Sequence, residues 1–271
     1  MASWTLDDIA WERFDATKLD PDLVAVVKAA SLVEHNGADY AQYLCQVFDD
    51  DPAFQEAARQ WGADEIRHGE ALGRWAALAD PAFDFAAACR RFTAGFRVDL
   101  TPQKSVRGSR SGEMVARCMV ETGTSSYYSA LAEASAEPVL RDICRRIAAD
   151  EFRHYKLFYA TLKRYLAVER LGFWGRLRVA VGRIAESQDD ELAYAYYAAN
   201  GGAAAYDRRR CSRAYARRAY AYYRPQHVER GIGMVFKAIG LSPQTRLCRL
   251  ASGLAWRVLN ARANRLARIE A

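Results

Sequence analysis

The chain has 271 residues, 51% hydrophobic and 27% charged, a composition that fits one large globular domain or two small ones. Its net charge of +6 is unevenly held: residues 172–271 carry 18 basic and 7 acidic residues, whereas residues 1–171 are net −5. No apolar stretch reaches the ~18 residues of a membrane-spanning helix, no N-terminal apolar run argues for secretion, and the six scattered cysteines form no C-x-x-C, which argues against a zinc ribbon or rubredoxin-type iron site and for a reduced, cytoplasmic protein.

Acid–proline pairs punctuate the first half: Asp20-Pro21, Asp51-Pro52, Asp80-Pro81 and Glu137-Pro138. Proline at a first helical position loses no hydrogen bond, and the acid before it can cap the helix. The pattern predicts long helices over 21–49, 52–79 and 138–168, with a shorter one over 82–95. A further long helix, about 111–135, follows the Gly/Ser-rich stretch 105–112. Four long helices with one long connection predict an all-α four-helix bundle spanning residues 1–171. Residues 172–271 are predicted to add a helical, basic region. It holds eight of the fifteen tyrosines between 194 and 223, with a break at Asn200-Gly201-Gly202.

An internal repeat carries the chemistry. Ala63-Asp64-Glu65-Ile66-Arg67-His68 returns 86 residues later as Ala149-Asp150-Glu151-Phe152-Arg153-His154. Glu34 precedes Glu65 by 31 residues and Glu121 precedes Glu151 by 30, and Tyr40 and Tyr127 each follow their lone glutamate by six. Glu and His three apart project from one helix face. A duplicated hairpin thus offers four carboxylates and two imidazoles at mid-helix, a donor set suited to two metal ions with bridging carboxylates. Iron is expected; manganese or a mixed Fe/Mn pair fits the same ligand types.

This pattern resembles the ferritin-like di-iron carboxylate superfamily over about residues 20–168. The stretch Ile147–His154 is similar to the second motif of the soluble acyl-carrier-protein desaturases; rubrerythrins and aldehyde-deformylating oxygenases share the general pattern. The resemblance implies a ferritin-like bundle with Glu34, Glu65, His68, Glu121, Glu151 and His154 as metal ligands. It also implies a role for Thr124, one turn after Glu121, in handling protons during oxygen activation; the alternative is a helix threonine bonded to its own backbone. The basic tail has no counterpart in the resemblance.

Other residues have two readings each. Asp64 and Asp150 can accept from a ligand imidazole's free N–H or lie exposed. Gly37 and Gly123, within a turn of Glu34 and Glu121, either leave room beside the metals or let helices pack closely. Tyr40 and Tyr127 either support the metals or fill the core. His35 points about 100° away from Glu34 and is not expected to ligate, and His227 is unassigned.

The expected function is a non-haem di-iron oxidoreductase activating O2 for desaturation or hydroxylation of a hydrophobic, acyl-type substrate. The alternative is a ferritin- or rubrerythrin-like protein that binds iron or removes peroxide without an organic substrate. The expected partners are O2, an external electron donor, an acidic carrier protein bearing the substrate, and a second copy in a homodimer. An anionic membrane surface is a further candidate, met by the basic amphipathic segment Arg246–Arg268 (Leu247, Leu250, Leu254, Leu259, Leu266) or else left unused if that face packs on the bundle. Nucleic acid is not expected, since Arg208-Arg209-Arg210 comes without a binding motif.

Overall fold

In the computed structural model, Pro21, Pro52 and Pro138 each open a helix. The acid before each accepts from the first free backbone N–H groups: Asp20 from Asp22, Asp51 from Phe54, Glu137 from Val139 and Leu140. The structure describes residues 4–186, 190–202 and 204–269. Among them all regular elements are helical, beginning with three short 3₁₀ turns before residue 20.

The bundle is built from α1 (Pro21–His35), α2 (Gly37–Val47), α3 (Pro52–Ala79), α5 (Arg110–Ala134) and α6 (Pro138–Glu169), with the short α4 (Phe85–Gly95) packed beside α1 and α3. α1 and α2 lie along α3, and α5 lies along α6. Two expectations are corrected. The first helix is broken at Asn36, because Gly37 must pass so close to α3 that a Cβ there would stand 2.3 Å from Glu65 Cβ; an unbroken helix does not follow that path. The short helix starts at Phe85 rather than 82. The Asp80 carboxylate is taken by Lys28 (2.9 Å) and the Ala82 N–H (3.1 Å), leaving Asp84 to cap through the Ala87 N–H.

Two apolar clusters fill the bundle. One joins Leu23 and Val27 of α1, Leu72 and Trp75 of α3, and Leu140 and Ile143 of α6. The other joins Leu44 of α2, Phe54 and Trp61 of α3, Met114 and Val115 of α5, and Phe158 and Leu162 of α6. Along α3 and α6 the residues between the clusters are polar and buried: Asp64, Glu65 and His68, then Asp150, Glu151 and His154. A charged layer therefore separates two oily ends.

The basic region adds α7 (Phe173–Glu186), α8 (Asp190–Asn200), α9 (Arg208–Ala221), α10 (Pro225–Ile239) and α11 (Arg246–Ile269), with the predicted break at Gly201-Gly202 between α8 and α9. α8 packs on α1, α7 and α10 pack on α5, and α11 packs mainly on α9 and α10. Side chains tie this casing to the bundle. Tyr40 donates to Glu191 (3.0 Å), Tyr155 to the Met234 carbonyl (2.7 Å), and His227 Nε2 lies 3.1 Å from Glu133. The last contact gives His227 a structural place on α10.

Candidate metal centre

Glu34 on α1, Glu65 and His68 on α3, Glu121 on α5, and Glu151 and His154 on α6 meet in the charged layer, all buried. The repeat brings its residues together in two overlapping sets. Glu34, Glu65, His68 and Glu151 offer ligand atoms within 4.8 Å of one another; so do Glu65, Glu121, Glu151 and His154. Glu65 and Glu151 belong to both sets, and Glu34 and Glu121 to one each.

Both imidazoles turn Nδ1 inward. His68 Nδ1 stands 3.3 Å from Glu151 Oε1 and 3.5 Å from Glu34 Oε2, and His154 Nδ1 stands 3.1 Å from Glu65 Oε1 and 3.6 Å from Glu121 Oε2. The inward atoms Glu34 Oε2, Glu65 Oε1, His68 Nδ1, both Glu121 oxygens, Glu151 Oε1 and His154 Nδ1 have no hydrogen-bond partner although buried. Buried polar atoms are normally satisfied, so a shared point faced by seven unsatisfied donor atoms fits cations. Hard carboxylates with one imidazole per set match two iron ions.

The electrostatics agree. Burial pushes Glu121 up to about 8, helped by the Glu151 carboxylate, and burial with Glu151 and Glu34 holds Glu65 well above the usual range. Burial alone would lower the imidazoles, yet the carboxylates of Asp150, Glu151 and Glu34 beside His68 raise it, and those of Asp64, Glu121 and Glu65 beside His154 raise that ring. The layer is an excess of negative charge out of water, a cost that bound cations offset.

Outward, the imidazoles are held crosswise. His68 Nε2 pairs with Asp150 Oδ2 of the other repeat (3.0 Å), and His154 Nε2 pairs with Asp64 Oδ2 of the first (3.2 Å). The aspartates thus pair with the two imidazoles rather than lying exposed. Arg67 spans both carboxylates, 2.8 Å from Asp64 and 3.1 Å from Asp150. Trp4 donates its indole N–H to Asp150 (2.8 Å) and lies parallel to the His68 ring, centroids 5.9 Å apart. The recurrence of arginine in both motifs was a usable signal for Arg67; nothing in the sequence marks Trp4.

Thr124 contacts both its own helix backbone and a carboxylate of the donor set. Its hydroxyl donates to Glu151 Oε2, with its own backbone carbonyls of Val120 and Glu121 at 3.3 and 3.4 Å. Of the two readings of the tyrosines, support of the donor set falls to neither Tyr40 nor Tyr127. Tyr40 turns to α8, and Tyr127 packs edge-on against Tyr128 in the core; it is Tyr128 that donates to Glu34 Oε1 (2.6 Å), because one residue of helix rotates the phenol by about 100°. Burial and the Glu34 charge keep the Tyr128 phenol protonated. Of the two glycines, Gly37 serves close packing, whereas Gly123 is exposed with open space around its Cα. His35 sits edge-on against Phe85, outside both ligand sets.

Among the described residues no helix is long and apolar enough to cross a membrane. The family model described as "Fatty acid desaturase" matches residues 7–172. No curated protein matches the chain.

Proposed function

The chain belongs to the fatty acid desaturase family, whose chemistry is di-iron, O2-dependent desaturation of acyl chains, and from that premise we propose that Glu34, Glu65, His68, Glu121, Glu151 and His154 hold the two iron ions. The observation that carries this assignment is the sharing of Glu65 and Glu151 between two buried donor sets. When bound, the metal pair would hold the two electrons delivered by an external donor and, with O2, supply the oxidising power that removes two hydrogens from adjacent carbons of the acyl chain. Overall, CH2–CH2 becomes CH=CH while O2, two electrons and two protons become two waters; an external donor provides the electrons. The family implies an acyl chain presented on a carrier protein.

The chain's own residues have separable tasks. Asp150 and Asp64 fix the tautomer and the aim of the two imidazoles from opposite repeats. Arg67 links the two aspartates; His154 and Arg67 favour the ionised form of Asp64, and His68 with Arg153 that of Asp150. Tyr128 orients Glu34 by occupying one of its oxygens. Thr124 holds a proton at Oγ1 against Glu151 Oε2, at the edge of the donor set, and is the residue placed to pass it. The flanking apolar clusters exclude water from above and below. In this reading residues 1–171 form the catalytic unit and residues 172–271 brace it from outside.

The test is direct. Protein reconstituted with ferrous ion under anaerobic conditions should hold two irons per chain. Supplied with an acyl-carrier-protein substrate, an electron donor and O2, it should return an acyl chain lighter by two hydrogens. Two irons with no change in any acyl chain, but rapid consumption of peroxide, would overturn the reading.

A further inference from the structure

α11 is amphipathic in the reverse of the usual sense for a packed helix. The face turned to α9 and α10 is made of small or half-buried side chains, with Cys248 and Ser252 buried and Leu259 and Leu266 only partly covered. The face turned to solvent bears the large apolar residues. Leu247, Leu250, Leu254 and Val258 are 59%, 73%, 64% and 60% exposed. Their spacing of three, four and four residues lines them up in one stripe. A contiguous apolar patch of this kind on a protein surface marks an interaction site.

Charge identifies the occupant. The segment Arg246–Ile269 contains six arginines and no acidic residue. Arg246, Arg257 and Arg268 recur every eleven residues, three helical turns, and so run along one border of the stripe; Arg265 continues its line. Arg262 lies over the Tyr220 ring at 5.4 Å and anchors the helix to α9. A second copy of the same face would set arginine against arginine, which repels. A carrier protein must bring its acyl chain to the metals, yet α11 packs mainly on α9 and α10 rather than on the helices that hold the ligands. A line of arginines about 33 Å long suits an extended anionic plane better than a compact partner.

We infer that α11 is a docking helix for an anionic lipid bilayer. It lies in the plane of the headgroups with Leu247, Leu250, Leu254 and Val258 immersed and the arginines at the level of the phosphates. Arginine and lysine stems allow this, since the apolar part of the side chain follows the stripe while the charge stays in the polar layer. The choice against a carrier protein rests on the desaturase reading, but α11 shares no residue with the metal centre, so vesicle binding is tested apart from that assignment.

The experiment is flotation of the full-length, iron-loaded protein with two vesicle preparations: phosphatidylcholine alone, and phosphatidylcholine with about one third phosphatidylglycerol. The protein should float with the anionic vesicles only. Two variants separate the contributions: L250E/L254E removes the apolar stripe, and R246Q/R257Q removes charge from its border. Each should lower the bound fraction on anionic vesicles by about tenfold or more. Both alter exposed positions, and unchanged iron content and helicity would show that the fold is kept. Three results would overturn the inference. The first is no flotation of the unaltered protein at low salt. The second is binding unaffected by L250E/L254E, which would mean simple adhesion through other basic residues. The third is sedimentation showing a dimer that L250E/L254E dissolves, which would assign the face to a second copy.

Discussion

His68 Nε2 and Asp150 Oδ2 stand 3.0 Å apart although 82 residues separate them, and the reciprocal pair, His154 and Asp64, is 3.2 Å apart across 90. In the proposed assignment, each repeat therefore supplies the imidazole ligand of its own metal and the support for its neighbour's. Asp150→Asn should weaken the His68 set first and Asp64→Asn the His154 set, each by about 10- to 100-fold in metal affinity. Iron titration resolved into two sites checks this; weakening of the set in the same repeat would contradict the crossed arrangement.

Because Glu65 and Glu151 belong to both donor sets, their loss should differ in kind from that of Glu34 or Glu121. Glu65→Ala and Glu151→Ala should each abolish the paired centre, leaving one iron per chain or none. Glu34→Ala or Glu121→Ala should leave one set complete. Metal content by elemental analysis separates the classes, and two irons retained in Glu65→Ala would refute the ligand assignment.

Thr124→Val keeps the shape of the side chain and removes the donor to Glu151. We expect iron content and KM to stay and kcat to fall on the order of tenfold to a hundredfold. An unchanged kcat would reduce Thr124 to its backbone contacts.

Gly37→Ala puts a methyl group 2.3 Å from Glu65 Cβ. Overpacking of this kind costs about 1–3 kcal/mol, and here the strain falls on a residue shared by both donor sets. Denaturant unfolding should show the loss together with lowered iron content, whereas Gly123→Ala, in open space within α5, should cost nothing and add helix propensity.

The metal-stripped chain should lose stability as pH rises above about 5. Glu121 ionises near 8 in the folded chain against an ordinary 4.5, so its penalty grows through that interval. His68 and His154 are raised above 6.5, so their contribution is complete below that value and is lost as pH climbs through the folded one. Asp64 and Asp150 are lowered, and their contribution fades only as pH falls below 3.8. The thermal midpoint should drop by roughly 5 °C or more between pH 5 and pH 8. A midpoint that rises over this range would contradict the charge balance.

Much of the centre was legible because helical geometry is periodic. Glu-x-x-His spacing, a repeat at 86 residues and capping acids before prolines are local signals, and the six candidate residues converge as the repeat implied. What the repeat could not carry was anything depending on how the halves face each other. The crossing of the aspartates, the sharing of Glu65 and Glu151, and the choice of Tyr128 over Tyr127 arise from packing across the bundle. Trp4 comes from a segment with no periodicity at all. The break at Asn36 was hidden for a related reason: its cause is the proximity of Glu65, a residue in another helix.

The stacking of an apolar end, a charged layer and a second apolar end gives the bundle an uneven stiffness. A helical column usually frays from its tips, but here each tip is gripped by its own oily cluster while the middle holds mutually repelling carboxylates. Without cations the column is weakest at its waist. Its first excursions should then part the two hairpins at the level of Glu65 and Glu151, through the same seam that an incoming ferrous ion needs. In the proposed assignment, bound iron would close that seam, so the ion that equips the protein for chemistry would also fix its mechanical integrity.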